Sequence, residues 1–104
     1  MTLSELEALL LSLCEDVYHY SAPSGCTRYV VWAEYGESAT YGDDTNALSC
    51  PRVQLDVYTQ DEGDDLPVQI RAALASYGQA VSLQDVQWDD EMHTLRSILQ
   101  LVLT

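Results

Sequence analysis

Apolar residues near the N-terminus recur at helical spacing. Leu6, Leu9, Leu10, Leu13 and Val17 fall along one face, which predicts an amphipathic helix. Thr2 with Glu5, or Ser4 with Glu7, fits a capping box, in which paired side chains satisfy the N–H groups left without partners where a helix begins. The cluster Ser21-Ala22-Pro23-Ser24-Gly25 breaks whatever precedes it. From Arg28 to Glu37 the period falls to two: Tyr29, Val31, Ala33 and Tyr35 alternate with Val30, Trp32 and Glu34. Both sets are largely apolar near the middle, so this strand is expected to be central and covered on both faces. Gly36 to Ser49 reads as a polar loop or a loose hairpin arm.

Pro51 to Thr59 alternates more cleanly. Val53, Leu55 and Val57 face one way, and Arg52, Gln54, Asp56 and Tyr58 face the other, wet or at an interface. Asp64 or Asp65 can cap a second helix, and Pro67 fits its first turn, where a missing N–H costs nothing. Leu66, Ile70, Ala73, Leu74 and Tyr77 make its apolar face, and Gly78 stops it. Alanines at 72, 73 and 75 would let it lie close to a sheet. Val81 to Trp88 is a short strand, Asp89-Asp90 a turn, and Met92 to Leu103 a final strand by the parity of Leu95, Leu99, Leu101 and Leu103. The order α-β-β-α-β-β predicts a single α+β domain over residues 1–104, an antiparallel or mixed sheet packed against two helices.

Charge narrows the functional classes. Among 104 residues there are 17 acids and four arginines, with no lysine, giving a formal net charge of −13. Such a surface lacks the cations that neutralise nucleic-acid phosphates or attract a protein to anionic lipid. At 47% hydrophobic residues the chain is nonetheless too apolar for a disordered acidic tail. The N-terminus carries no basic leader region, and no apolar run approaches the roughly 20 residues that span a bilayer. A soluble protein made in the cytoplasm is expected, with no membrane partner.

No motif supplies catalysis. Cys14, Cys26 and Cys50 are odd in number, lack C-x-x-C spacing and sit apart from His19 and His93 in the sequence; free thiols are expected, with a Cys26–Cys50 bridge as the alternative. Cys–His dyads can be drawn on paper, but no protease or nucleophile-elbow signature surrounds either partner. Asp61, Glu62, Asp64 and Asp65 surround Gly63 without the spacing of a calcium loop, and read as a helix lead-in. Asp89-Asp90-Glu91 reads as a hairpin turn. The five glycines stand singly, so no phosphate loop is present. Neither cofactor nor metal is expected, and the chain is not read as an enzyme. Tyrosine and arginine are favoured where proteins meet, so Arg52 and Tyr58, on one polar strand face, are candidate interface residues.

The helix, the strand Tyr29-Val30-Val31-Trp32-Ala33-Glu34-Tyr35, the strand Pro51-Arg52-Val53-Gln54-Leu55-Asp56-Val57-Tyr58-Thr59, and the acidic lead-in to Ile70-Arg71-Ala72-Ala73-Leu74 with its two closing strands together resemble a family. It is that of the tail terminator (tail completion) proteins of long-tailed phages and prophages. The resemblance implies a structural virion protein at the head–tail interface, assembled in the host cytoplasm. It implies a homo-oligomer, a hexameric ring capping the tail-tube protein, stopping tube growth and meeting the head–tail connector protein. DNA would pass through the lumen without specific binding, and Glu37, Asp43 and Asp44 become candidate lumen charges. The excess of acid, the lack of lysine and the three cysteines are not hallmarks of that family. A stopper or adaptor of the same junction, or a small acidic module mimicking DNA, is the alternative.

Overall fold

The computed structural model describes residues 1–40 and 48–104. Elements run α1 (Leu3–Leu13), β1 (Val17–His19), β2 (Tyr29–Thr40), β3 (Leu48–Thr59), α2 (Leu66–Ser76), β4 (Val81–Asp89) and β5 (Thr94–Val102). The five strands form one sheet in the order β1-β2-β3-β5-β4, parallel between β1 and β2 and antiparallel elsewhere. The class is α+β with a mixed sheet, as the pattern predicts.

Local signals account for both helices. Of the two capping boxes the sequence offers, Thr2–Glu5 is the one formed: the Glu5 N–H donates to Thr2 Oγ1 at 3.1 Å, and the Thr2 N–H donates to Glu5 Oε1 at 3.0 Å. Those hydrogen bonds from Thr2 hold the Glu5 carboxyl below its ordinary range. At α2, Asp65 occupies the cap position without a side-chain bond, while the carboxylate of Asp64 accepts from the Leu66 N–H at 3.0 Å. Gly78, at φ +76, ends the helix where a side chain would be strained.

Asp64 also ties α2 to the start of β2, accepting from Arg28 Nε at 2.7 Å and Nη2 at 3.2 Å. Arg28's hydrogen bonds, ahead of the Leu66 N–H, hold the Asp64 carboxyl below its ordinary value of 3.8. A carboxyl depressed in the fold stabilises fully above its ordinary pKa, and that contribution vanishes as pH falls through the depressed value. Asp64→Ala should therefore cost about 1 kcal/mol at pH 7, the size of a lost cap and a surface ion pair. In urea titrations the gap from the parent should shrink below about pH 4.

The core lies between the helices and one sheet face. Leu6 and Leu10 of α1 and Leu66, Ile70 and Leu74 of α2 are fully buried against Val30, Val53, Leu55, Val57 and Leu99, with Trp32 and Leu101 nearly so. Among the described residues, no helix covers the other sheet face. Val31 is buried there among its strand neighbours, Tyr18 and Asp56 in register on either side, so β2 is not sandwiched between two layers as its two apolar faces suggest.

Three further expectations are corrected, and one open alternative is resolved. Val17 leaves the α1 face and starts β1, because Cys14 turns extended and caps α1 through its N–H to the Leu10 carbonyl. Of the two readings of Gly36 to Ser49, the described residues take the hairpin arm: Gly36 to Thr40 and Leu48–Ser49 are strand, paired from Gly36 opposite Arg52 to Thr40 opposite Leu48, beyond the start of the β3–β5 ladder. The final strand begins at Thr94, not Met92, which lies exposed in the turn. On α2, Leu66, Ile70 and Leu74 are buried and Ala73 half-buried as expected, but Tyr77 is 63% exposed and Ala72 and Ala75 face outward, away from the sheet.

Candidate assembly surfaces

The open sheet face is held by a chain of aromatic and charged contacts. Tyr29 and Tyr58, opposite each other on β2 and β3, stack at 4.4 Å between ring centroids and 9° between planes. From β5, Arg96 lies over the Tyr58 ring at 5.9 Å and donates through Nη2 to Asp56 Oδ2 at 2.8 Å. Gln54 donates to Asp56 at 3.0 Å and completes the row. Burial raises the pKa of both tyrosines, Tyr58 acting further on Tyr29, so both rings stay neutral and packed at physiological pH.

Arg52 and Tyr58 share this face but do not meet. Six residue steps along the strand separate them, about 20 Å. Arg52 is exposed, with its guanidinium 4.9 Å from the centroid of the Tyr35 ring, a cation–π contact. The base beside Tyr58 is Arg96, brought there by strand pairing, with Tyr58 opposite Arg96 and Asp56 opposite Ile98. Glu37 has its backbone on the ribbon of β2 and β3, paired with Pro51. Asp43 and Asp44 lie outside the described residues.

At the β1 edge, pairing builds a cluster that the sequence pattern did not disclose. The His19 ring lies between Tyr20, at 4.0 Å, and Trp32, at 3.8 Å, and its Nε2 is 2.6 Å from Glu34 Oε1. Tyr20 takes φ 71, a conformation that bulky side chains rarely adopt. β1 ends there in a turn, the Ser21 N–H donating to the His19 carbonyl at 2.9 Å.

The opposite edge is bare. Every residue of β4 after Val81 is exposed, including Leu83, Val86 and Trp88, although the strand is fully paired with β5. The pairing shifts by one residue between Leu83 and Asp85. That bulge places Leu83, Val86 and Trp88 opposite Leu99, Ser97 and Leu95, all on the helix side, and Asp85, Gln87 and Asp89 on the open face.

The candidate chemistry resolves into structural roles. The three cysteines are free, Cys14 buried and the others half-buried. The Cys26 thiol and the Tyr18 hydroxyl are hydrogen-bonded at 3.5 Å, and this contact, ahead of desolvation and Asp16, pushes the Tyr18 pKa up to about 12. Asp61 accepts from the Gly63 N–H at 2.9 Å, closing the turn before α2. Asp89 accepts from the N–H groups of Glu91 and Met92, and Asp90 from Trp88 Nε1 at 2.6 Å. Among the described residues no group of three or more His, Cys, Asp or Glu side chains is placed to hold a metal ion. No described helix is long and apolar enough to cross a membrane.

A two-helix, five-stranded α+β fold with one uncovered sheet face is what these elements define. By sequence, no protein family and no curated protein matches the chain. By structure, it is similar to a chain of the virion of a native gene transfer agent (GTA) particle, with a TM-score of 0.54 at 17% identity. The likeness covers 91% of this chain and 84% of that one. At that identity it is a likeness of fold.

Proposed function

We propose that this chain is a structural virion protein, not an enzyme, and within that class a tail terminator. It acts by assembling into a ring, hexameric in the family it resembles, that caps the tail tube, halts its growth and meets the head–tail connector. The observation that carries the reading is the fold shared over 91% of the chain with a component of a gene transfer agent virion. The uncovered sheet face supports it, because a ring of identical subunits needs head-to-tail contacts that close. Arg52, exposed above Tyr35, and the Tyr58–Arg96 row are the residues assigned to that contact.

Acidity suits the same role. A channel lined with carboxylates repels the phosphates of a passing genome, so DNA slides through without adhering. Glu37, on the ribbon of β2 and β3, and Asp43 and Asp44 between the two strands are the charges assigned to the lumen. Native mass spectrometry of the purified protein, with and without tail-tube protein, tests the assembly. The expected result is a hexamer, alone or on the tube, with six-fold rings in negative stain. A strictly monomeric species at high concentration that also ignores tail-tube protein would sink the reading.

A further inference from the structure

β4 is a nine-residue edge strand that belongs to the sheet but not to the core. Leu83, Val86 and Trp88 stay 45–49% exposed on the side where the helices pack, while Val81, where the strand begins, packs against the core. Edge strands are usually blunted by shortness, lysine or proline. This one is long and has neither lysine nor proline; its one irregularity is the bulge, where the Val86 N–H donates to the Asp85 carboxylate, and the outer N–H and C=O groups to either side of it are a template for another strand.

Charge selects the occupant. The open-face side of the strand carries Asp85 and Asp89. At its end, Trp88 stands between two acidic clefts, one holding Asp61 and Glu62, the other Asp90 and Glu91. The nearby base, Arg96, is already committed to Asp56, and Arg28 to Asp64. A second copy, with a net charge of −13 and two of its four arginines so engaged, would bring carboxylates against carboxylates.

We propose that the β4 edge docks an extended segment of a different protein, one alternating apolar residues with lysine or arginine. Added as a sixth strand, it lays its apolar side chains on Leu83, Val86 and Trp88 and its cations against Asp85 and Asp89. This docking needs no ring, and a protein that fails to form one still has the edge.

The probe is an eight-residue peptide of alternating lysine and valine, titrated calorimetrically into the intact protein. Glutamate–valine and serine–valine peptides serve as comparisons, and hydrogen exchange is followed at the β4 amides. The lysine–valine peptide should bind and slow exchange in β4, while the glutamate peptide does not bind and the serine peptide binds more weakly. Trp88→Ser, and separately Asp85→Asn with Asp89→Asn, should each weaken binding about tenfold. Glu7→Gln with Glu15→Gln, removing equal charge from α1 and its exit, should leave it within about twofold.

Failure of the lysine peptide to bind overturns the proposal. So does an equal loss from the Glu7/Glu15 pair, which would reduce the effect to overall acidity. Concentration-dependent protection of β4 in the protein alone, abolished by Trp88→Ser, also overturns it, since a second copy would then be the occupant.

Discussion

Leu55→Ala is expected to cost about 3–4 kcal/mol, the upper part of the range for a leucine emptied from a packed core. Leu55 is fully buried on β3, the middle strand of the sheet, with Trp32 opposite it on β2 and Leu99 opposite it on β5. Strands on either side fix the backbone around it, so the cavity cannot readily close. The loss is read as a lower urea midpoint with an unchanged slope, or as a fall in Tm of roughly 15 °C or more. Val86→Ala makes the contrast within the same sheet. Val86 is 47% exposed on β4, and its truncation should stay within about 0.5 kcal/mol. A Leu55→Ala protein losing under about 1 kcal/mol would mean that the core is not centred on β3.

Gln79→Leu should follow at about 2–3 kcal/mol, although leucine fills a similar volume. Gln79 is buried at 4% exposure and uses both ends of its amide. Its Oε1 accepts from the Thr104 N–H at 2.9 Å and from Thr104 Oγ1 at 3.3 Å. Its Nε2 donates to the Thr104 carbonyl at 3.1 Å and to the Tyr77 carbonyl at 3.2 Å. A leucine leaves the Thr104 N–H and the Tyr77 carbonyl without this partner in a part-buried site, while the Thr104 carbonyl keeps the Met1 amino group, and the unmet desolvation dominates. The local readout is the Leu103 amide, which donates to the Pro51 carbonyl at 2.9 Å. It should exchange faster in the variant out of proportion to the global loss, and unchanged exchange would count against the clamp.

What could be read from the sequence divides along physical lines. Signals closed within a few residues survived folding: the Thr2–Glu5 box, Pro67 in the first turn of α2, Gly78 at its end. Alternation on β3 was legible because one of its faces is dry along Val53, Leu55 and Val57. Beyond Gly36 the pattern does not separate loop from hairpin arm, and the choice is made by pairing between β2 and β3. β1 is three residues long, too short for a period, and exists because β2 offers it an edge.

The candidate surfaces were partly legible for the same reason. That Arg52 and Tyr58 share a face follows from parity, but their partners do not. Tyr35, Tyr29 and Arg96 arrive through sheet pairing, which parity along one strand cannot specify. Gln79 carried no signal, being one polar residue after a glycine. Its role depends on Thr104, 25 residues away.

The bulge on β4 makes the character of that edge depend on a count of residues rather than on their identity. Were Gln84 paired in regular alternation instead of bulged out, Val86 and Trp88 would cross to the side of Arg96 and Gln87 to the side of the helices. A three-nucleotide deletion at Gln84 would instead straighten the strand and leave Leu83, Val86 and Trp88 on the side they already share. The bulge absorbs a one-residue excess that would otherwise have turned half of the greasy stripe over.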